Sequence, residues 1–198
     1  MKKLLFLLAF VPLVSFGQFS KGTKMIGADL SYTSIKYEIS SDVPTTNTFF
    51  SVTGHMGFFM SESFALGPIV NVFANNTPSF NPVTNLFEDR KTNGLAGGIY
   101  ARKFFTISEQ FFFSLEGRGL IGTINRDENS SSGEEKNTRL NLSFRPVFTF
   151  MPNRKWGFDA GIGQIYYSSN WTNSSIRERY FQTNLGQVSL GVNYFIGR

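Results

Sequence analysis

The chain has 198 residues, a formal net charge of +5, one histidine and no cysteine, with 23 Phe and 19 Gly. Without thiols, a disulfide framework and a cysteine-held metal are both closed to it. The modest positive charge is scattered, and no Lys/Arg cluster offers a groove for nucleic acid, so no such partner is expected.

Met1-Lys2-Lys3 is basic, Leu4 to Val14 is apolar apart from Pro12, and Ser15-Phe16-Gly17 puts small residues just before Gln18. That order is the order of a secretory signal, and the apolar run is far too short to cross a bilayer core of about 30 Å as a helix. Residues 1–17 are therefore expected to be a cleaved signal peptide and residues 18–198 a single domain. Removing Lys2 and Lys3 lowers the net charge from +5 to +3. Past the signal no segment offers the long apolar stretch that a transmembrane helix needs, which leaves strands as the only way to cross a membrane.

Along the mature chain the period is two. Ile26, Ala28, Leu30 and Tyr32 alternate with Gly27, Asp29, Ser31 and Thr33; next, Phe50, Val52, Gly54, Met56, Phe58 and Met60 alternate with Ser51, Thr53, His55, Gly57 and Phe59. A third segment, about Phe64 to Phe73, aligns Leu66, Pro68, Val70 and Val72; the fourth sets Leu95, Gly97, Ile99 and Ala101 against Ala96, Gly98, Tyr100 and Arg102. In the fifth, Phe111, Phe113, Leu115, Gly117, Gly119 and Ile121 oppose Phe112, Ser114, Glu116 and Arg118. The sixth opposes Leu140, Leu142, Phe144, Pro146, Phe148 and Phe150 to Asn141, Ser143, Arg145 and Thr149. The seventh opposes Trp156, Phe158, Ala160 and Ile162 to Gly157, Asp159, Gly161 and Gly163. The last has Val188, Leu190, Val192, Tyr194 and Ile196 alternating with Gln187, Ser189, Gly191, Asn193 and Phe195.

Eight strands follow, joined by connections of alternating length. Long polar ones are expected near Ser40–Asn47, Asn75–Lys91, Asn125–Asn137 and Ser168–Arg179, and short ones near Ser61–Ser63, Ser108-Glu109 and Pro152–Arg154. Short turns facing the periplasm and long loops facing outside are the habit of outer-membrane barrels. The expected fold is all-β: an eight-stranded antiparallel up-and-down transmembrane β-barrel. Asn129 to Glu135, a Ser/Gly/acidic stretch, is expected to be an exposed loop tip. Pro68 and Pro146 are expected to mark bulges or bends, since proline removes a ladder bond.

Composition orients the two faces. The polar one is dominated by Gly, Ser, Thr and Asn, and the lysines lie mostly in loops or at strand ends (Lys21, Lys24, Lys91, Lys136, Lys155), unlike a surface facing bulk water. Small polar residues suit the narrow interior of an eight-stranded barrel, so the apolar face is expected to meet lipid. The inward set then holds Asp29, Glu116 and Asp159 against Arg102, Arg118 and Arg145. Three acids balance three bases, as shielded charges require. They are expected to pair into a structural network that fills the lumen, with His55 as a hydrogen-bonded neighbour; a charged pore constriction or an active site is the functional alternative. Tyr32, Tyr37, Tyr166, Tyr167 and Trp171 at one end, and Trp156, Phe158, Tyr194 and Phe195 at the other, are expected in interfacial aromatic girdles.

On these features — signal, eight alternating segments, unequal connections and an aromatic C-terminal strand — the chain resembles the small OmpA/OmpX-type outer membrane β-barrel domain proteins, particularly the porin-family barrels of Bacteroidetes. The resemblance covers essentially the whole mature chain. It implies residence in the cell outer membrane among its lipids and insertion by the outer-membrane assembly machinery, which reads an alternating last strand such as Val188 to Ile196. A partner for the outer loops is not specified.

An enzymatic reading finds little to stand on. Lipid A deacylases of similar size carry a His-x-Ser pair, whereas here the order is His55-Met56-Gly57, and there is no H-E-x-x-H or P-loop. The acidic pairs Glu88-Asp89, Asp127-Glu128 and Glu134-Glu135 read as solvated loop residues rather than calcium ligands. No catalytic residue, cofactor or metal is expected.

Overall fold

The computed structural model describes residues 19–38, 44–81, 86–126, 135–170 and 179–198. The expected signal segment, residues 129–134 of the loop tip, Trp171 and the acidic residues 127, 128 and 134 lie outside these ranges. Eight strands follow in chain order: β1 Lys24–Glu38, β2 Pro44–Ser61, β3 Phe64–Asn81, β4 Leu86–Thr106, β5 Phe111–Arg126, β6 Glu135–Phe150, β7 Trp156–Asn170 and β8 Arg179–Ile196. Each pairs antiparallel with the next, and β8 returns to β1, closing the barrel. Closure leaves no sheet edge where the ring is complete. The β1–β8 register runs from Lys24↔Ile196 to Ser31↔Ser189.

The alternation has the sense expected from composition. Leu30, Leu95, Ile99 and Leu190 are each more than half exposed on the outer surface, while Asp29, His55, Arg102 and Glu116 are buried in the lumen. Pleating sends successive side chains to opposite faces, so a single parity choice fixes every strand.

The strands run further than the apolar alternation does. The segment expected to be a long loop at 75–91 is mostly strand: β3 and β4 stay paired from Asn75↔Thr92 out to Asn81↔Leu86. Apolar alternation stops at Val72 and resumes at Leu95, yet backbone pairing needs no apolar side chains. The first, third and fourth long connections shorten in the same way.

The two strand prolines behave differently. At Pro146 the β6–β7 register shifts between Phe144 and Val147, giving the expected irregularity. Pro68 makes no bulge: the β3–β4 register runs unbroken through Pro68↔Ile99, and β2–β3 keeps one register from His55↔Ile69 to Phe58↔Leu66. The proline is absorbed where direct partners between β2 and β3 lapse, so its missing N–H costs no change of register. A further shift falls at Gly163, whose φ of +69° is a left-handed conformation that suits glycine.

The hydrophobic core lies inside the barrel at the end that carries the short turns and both ends of the described chain. Phe19, Phe59, Phe104, Phe112 and Phe195 meet there with Met25, Ala65, Ile69, Tyr100 and Met151. Phe19 is the hub: its ring stacks on Phe59 at 4.4 Å and on Phe195 at 5.3 Å, and lies 5.0 Å from Phe104. The Arg198 guanidinium covers it from below at 4.7 Å. Phe195 is thus 2% exposed inside the plug rather than in an outer girdle, because it shares the inward parity of Asn193.

Candidate functional site

The lumen has three levels. Above the aromatic plug lies a layer of charge, and above that an open cavity of about 710 Å³.

Register builds the charged layer. Arg102 and Glu116 are direct partners across β4–β5, and Glu116 and Arg145 are partners across β5–β6. Opposite charges therefore alternate around three neighbouring strands. On the other side Asp159 and Asp29 both pair with Gly191, one through β7–β8 and the other through β8–β1. A Cβ at Gly191 would lie 2.7 Å from Asp29 Oδ1, so the glycine leaves the room these carboxylates need.

Six of the seven residues singled out from sequence meet in this layer. Arg102 donates from Nη1 to Asp159 Oδ2 at 2.6 Å and from Nη2 to Asp159 Oδ1 at 3.1 Å, a two-pronged grip. Its remaining donors reach Ser114 Oγ (2.8 Å) and Thr149 Oγ1 (2.7 Å), and Thr149 donates in turn to Asp159. Glu116 Oε1 accepts from Arg118 Nε at 2.5 Å and Arg145 Nε at 2.9 Å, while its other oxygen lies 3.8 Å from Arg102. Asp29 Oδ2 accepts from both Arg118 and Arg145, and Arg145 also donates to Ser189 Oγ at 2.7 Å. Three positive and three negative groups thus form one connected unit. Burial of this depth requires such pairing, because an isolated charge out of water costs several kcal/mol or more.

His55 stands apart from the ion pairs. It sits one level lower, with Nε2 2.9 Å from Asn193 Oδ1 and its ring edge-on to Tyr100 at 5.1 Å. With an amide oxygen as partner, Nε2 is the protonated nitrogen. No serine or carboxylate is hydrogen-bonded to it among the described residues, so this geometry assembles no nucleophile–base pair.

Sequence reasoning passes over Ser114, Thr149, Ser189, Asn193 and Tyr100, which satisfy the charges or close the layer from below. It also passes over the aromatic plug. A signal is present: Phe59, Phe112 and Phe195 all carry the inward parity of their strands and lie at the short-turn end. The girdle expectation needs a second correction at Tyr166, which lines the cavity beside Tyr180. The register shift at Gly163 alters the parity above it. Tyr32, Trp156 and Phe158 do face outward.

The network occupies one level and does not fill the lumen. Its upper surface, Asp29, Arg118 and Arg145, forms the floor of the open cavity. The reason is reach. An eight-stranded interior is just wide enough for large side chains to meet. At the lower levels Arg, Glu and Phe cross it, whereas the upper wall is mostly Ser, Thr and Asn, and its large rings pair with each other, Phe49 with Phe73 and Tyr166 with Tyr180.

No protein-family profile and no curated protein sequence matches the chain. Among solved structures it is similar to the N-terminal β-barrel domain of Pseudomonas aeruginosa OprF (12% identity, 89% of this chain and 98% of that one, TM-score 0.45). It is also similar to Neisserial surface protein A (13%, 87% and 94%, TM-score 0.47) and to Ail of Yersinia pestis (13%, 89% and 99%, TM-score 0.42). At these identities and scores, nothing that those proteins do is carried over to this chain.

Proposed function

We propose that this chain is an integral outer-membrane β-barrel with a structural or interaction role, whose lumen is closed to bulk flow. The observation that carries the reading is the inversion of its surface. Outward-facing Leu, Ile, Val or Phe side chains on every one of the eight strands surround an interior that is polar and charged above its aromatic plug. In water so large an apolar face would drive association; in a bilayer it replaces lipid–lipid contact at no cost, and the buried charges never meet hydrocarbon. The role is non-enzymatic, and no cofactor takes part. The chain's direct partners are then outer-membrane lipids and, during insertion, the assembly machinery.

Expression in a Gram-negative host with membrane fractionation tests location. The expected result is outer-membrane recovery, a mature N-terminus at Gln18 and faster migration on a gel when the sample is not boiled. Recovery as a soluble periplasmic protein would overturn the reading. Planar-bilayer recording tests closure: the native barrel is expected to give no steady conductance. Regular single-channel steps that change in Glu116→Gln or Arg118→Ala would replace the structural role by transport. A mass shift in lipid A that disappears in His55→Ala would replace it by catalysis.

A further inference from the structure

The cavity above the charged floor has a composition of its own. Its walls carry mostly neutral hydrogen-bonding side chains, among them Asn71, Asn75, Asn141 and Gln164, with hydroxyls of Ser and Thr between them. Two guanidiniums, Arg90 and Arg139, also line it, and Arg139 is engaged by Asn170 and Tyr180. The guanidiniums in its floor are already engaged, Arg118 and Arg145 by Asp29 and Glu116. That floor is electrically balanced and offers no unpaired charge to select a free ion.

Two pairs of aromatic rings break the polar wall. Phe49 and Phe73 stack at 6.2 Å on the β2–β3 side. Phe73 is laid flat against the wall: a Cβ at Gly94 on β4 would sit 2.5 Å from its ring, so glycine there is what makes the space. On the β7–β8 side Tyr166 and Tyr180 meet edge to face at 5.8 Å. Tyr166 donates to Gln182 Oε1 at 2.7 Å, and Arg139 donates to the Tyr180 hydroxyl at 3.2 Å, which fixes both rings. Aromatic faces next to unshielded polar space are a poor arrangement for water alone, which wets amides well and rings badly. They suit a ligand that is apolar on one face and hydroxylated around its rim.

We propose that this cup is a dead-end binding site for a neutral pyranose sugar, taken from the long-loop end of the barrel. Amides and hydroxyls supply both donors and acceptors to sugar hydroxyls, while the ring faces take its C–H surface. The volume, about 710 Å³, falls inside the usual range of small-molecule sites. The proposal rests on the closed-lumen reading above, since the charged layer and plug make the cup a receptor rather than a passage.

The test is a nuclear magnetic resonance titration of the full mature barrel with maltotriose, in amine-oxide micelles because glycoside detergents present a competing sugar. The expected result is a saturable, single-site shift of the Asn71, Asn141 and Tyr166 signals. Phe73→Ala is expected to weaken binding about tenfold, in line with one lost aromatic contact, and Asn141→Ala to weaken it too. Leu190→Ala, on the outer face, is expected to leave it unchanged. Gel mobility of unboiled samples confirms that each variant is folded. Shifts that never saturate, that persist equally in both lumen variants, or that inorganic phosphate reproduces with tighter binding would each overturn the proposal. Should the barrel conduct while maltotriose blocks the current, the sugar site stands and the closed lumen falls. A silent barrel that gives no shift with maltotriose keeps the closed lumen and removes the sugar site.

Discussion

The lower and upper halves of this lumen are built on the same eight strands and the same inward parity, yet they are different materials. Below Asp29 the interior is solid: a connected ion layer resting on stacked phenylalanines, with Arg102 wholly buried and Phe104 nearly so. Above it the wall is lined and the centre is open. Parity decides which way a side chain points, and its length and charge decide whether it meets anything there. In so narrow a barrel, interior packing is thus set level by level along the axis rather than by the fold as a whole.

The sharpest way to break this comparison is to remove an arginine from each half. Arg102→Ala strips Asp159 of its two-pronged partner and leaves a buried carboxylate held by neutral groups such as the Thr149 hydroxyl. The expected loss is about 3–5 kcal/mol, read as the midpoint of urea unfolding in micelles. Arg139→Ala removes a guanidinium near the mouth that holds Asn170 and Tyr180, and is expected to cost no more than about 1 kcal/mol. Equal losses would mean that the two halves share one dielectric, and the layered picture would fail. The double replacement Arg102→Met with Asp159→Leu is expected to recover most of the loss, because removing both charges together leaves neither stranded.

Much of this architecture is legible from residue order alone, and the failures have a common cause. Strand number, face assignment and the six paired charges follow from period two, because a pleated strand leaves no freedom in which way a side chain points. Strand length at 75–91 does not follow: apolar alternation reports where lipid ends, while pairing continues to Asn81↔Leu86. Tyr166 departs from its expected place because a register shift at Gly163 reverses parity without altering the local pattern. The cup is invisible in the sequence for a different reason. A stretch such as Asn71 to Thr77 looks like any polar strand end, and only the assembled ring shows that eight such ends surround a space. Phe19 escapes the pattern because it precedes the first strand, yet its ring is the hub of the plug.

A single residue type placed at both ends sharpens the contrast next. Phe59 is 2% exposed and stacks on Phe19 and Phe104, so Phe59→Ala opens a void inside a packed cluster. The expected loss is about 3 kcal/mol in the same unfolding assay. Phe49 is only half-buried, in the wall of the cup, and Phe49→Ala is expected to cost no more than about 1 kcal/mol. A loss at Phe49 as large as at Phe59 would show that the upper wall is packed against something and is not a free lining.

The smallest change with a readable sign is the addition of one methyl group. At Gly57, on the inward face of β2, a Cβ would lie 2.2 Å from the Tyr100 hydroxyl oxygen and 3.3 Å from Met25 Cε, both side chains of the core. Neither can retreat far, since Tyr100 is 1% exposed and Met25 wholly buried. Gly57→Ala is therefore expected to destabilise by about 1–3 kcal/mol as an overpacked site. Three residues earlier on the outward face, Gly54 has nothing within 4 Å of its Cβ position. Gly54→Ala is expected to stabilise by up to about 1 kcal/mol, through the reduced freedom of the unfolded chain. Ser143→Thr adds its methyl to the open cup and is expected to stay within about 0.5 kcal/mol of the native chain. Opposite signs at 57 and 54 report inward against outward, and the gap between 57 and 143 reports lower against upper. A silent Gly57→Ala would show that the level of Tyr100 yields as easily as the cup, and solid packing would then end at the ion layer instead of beginning there.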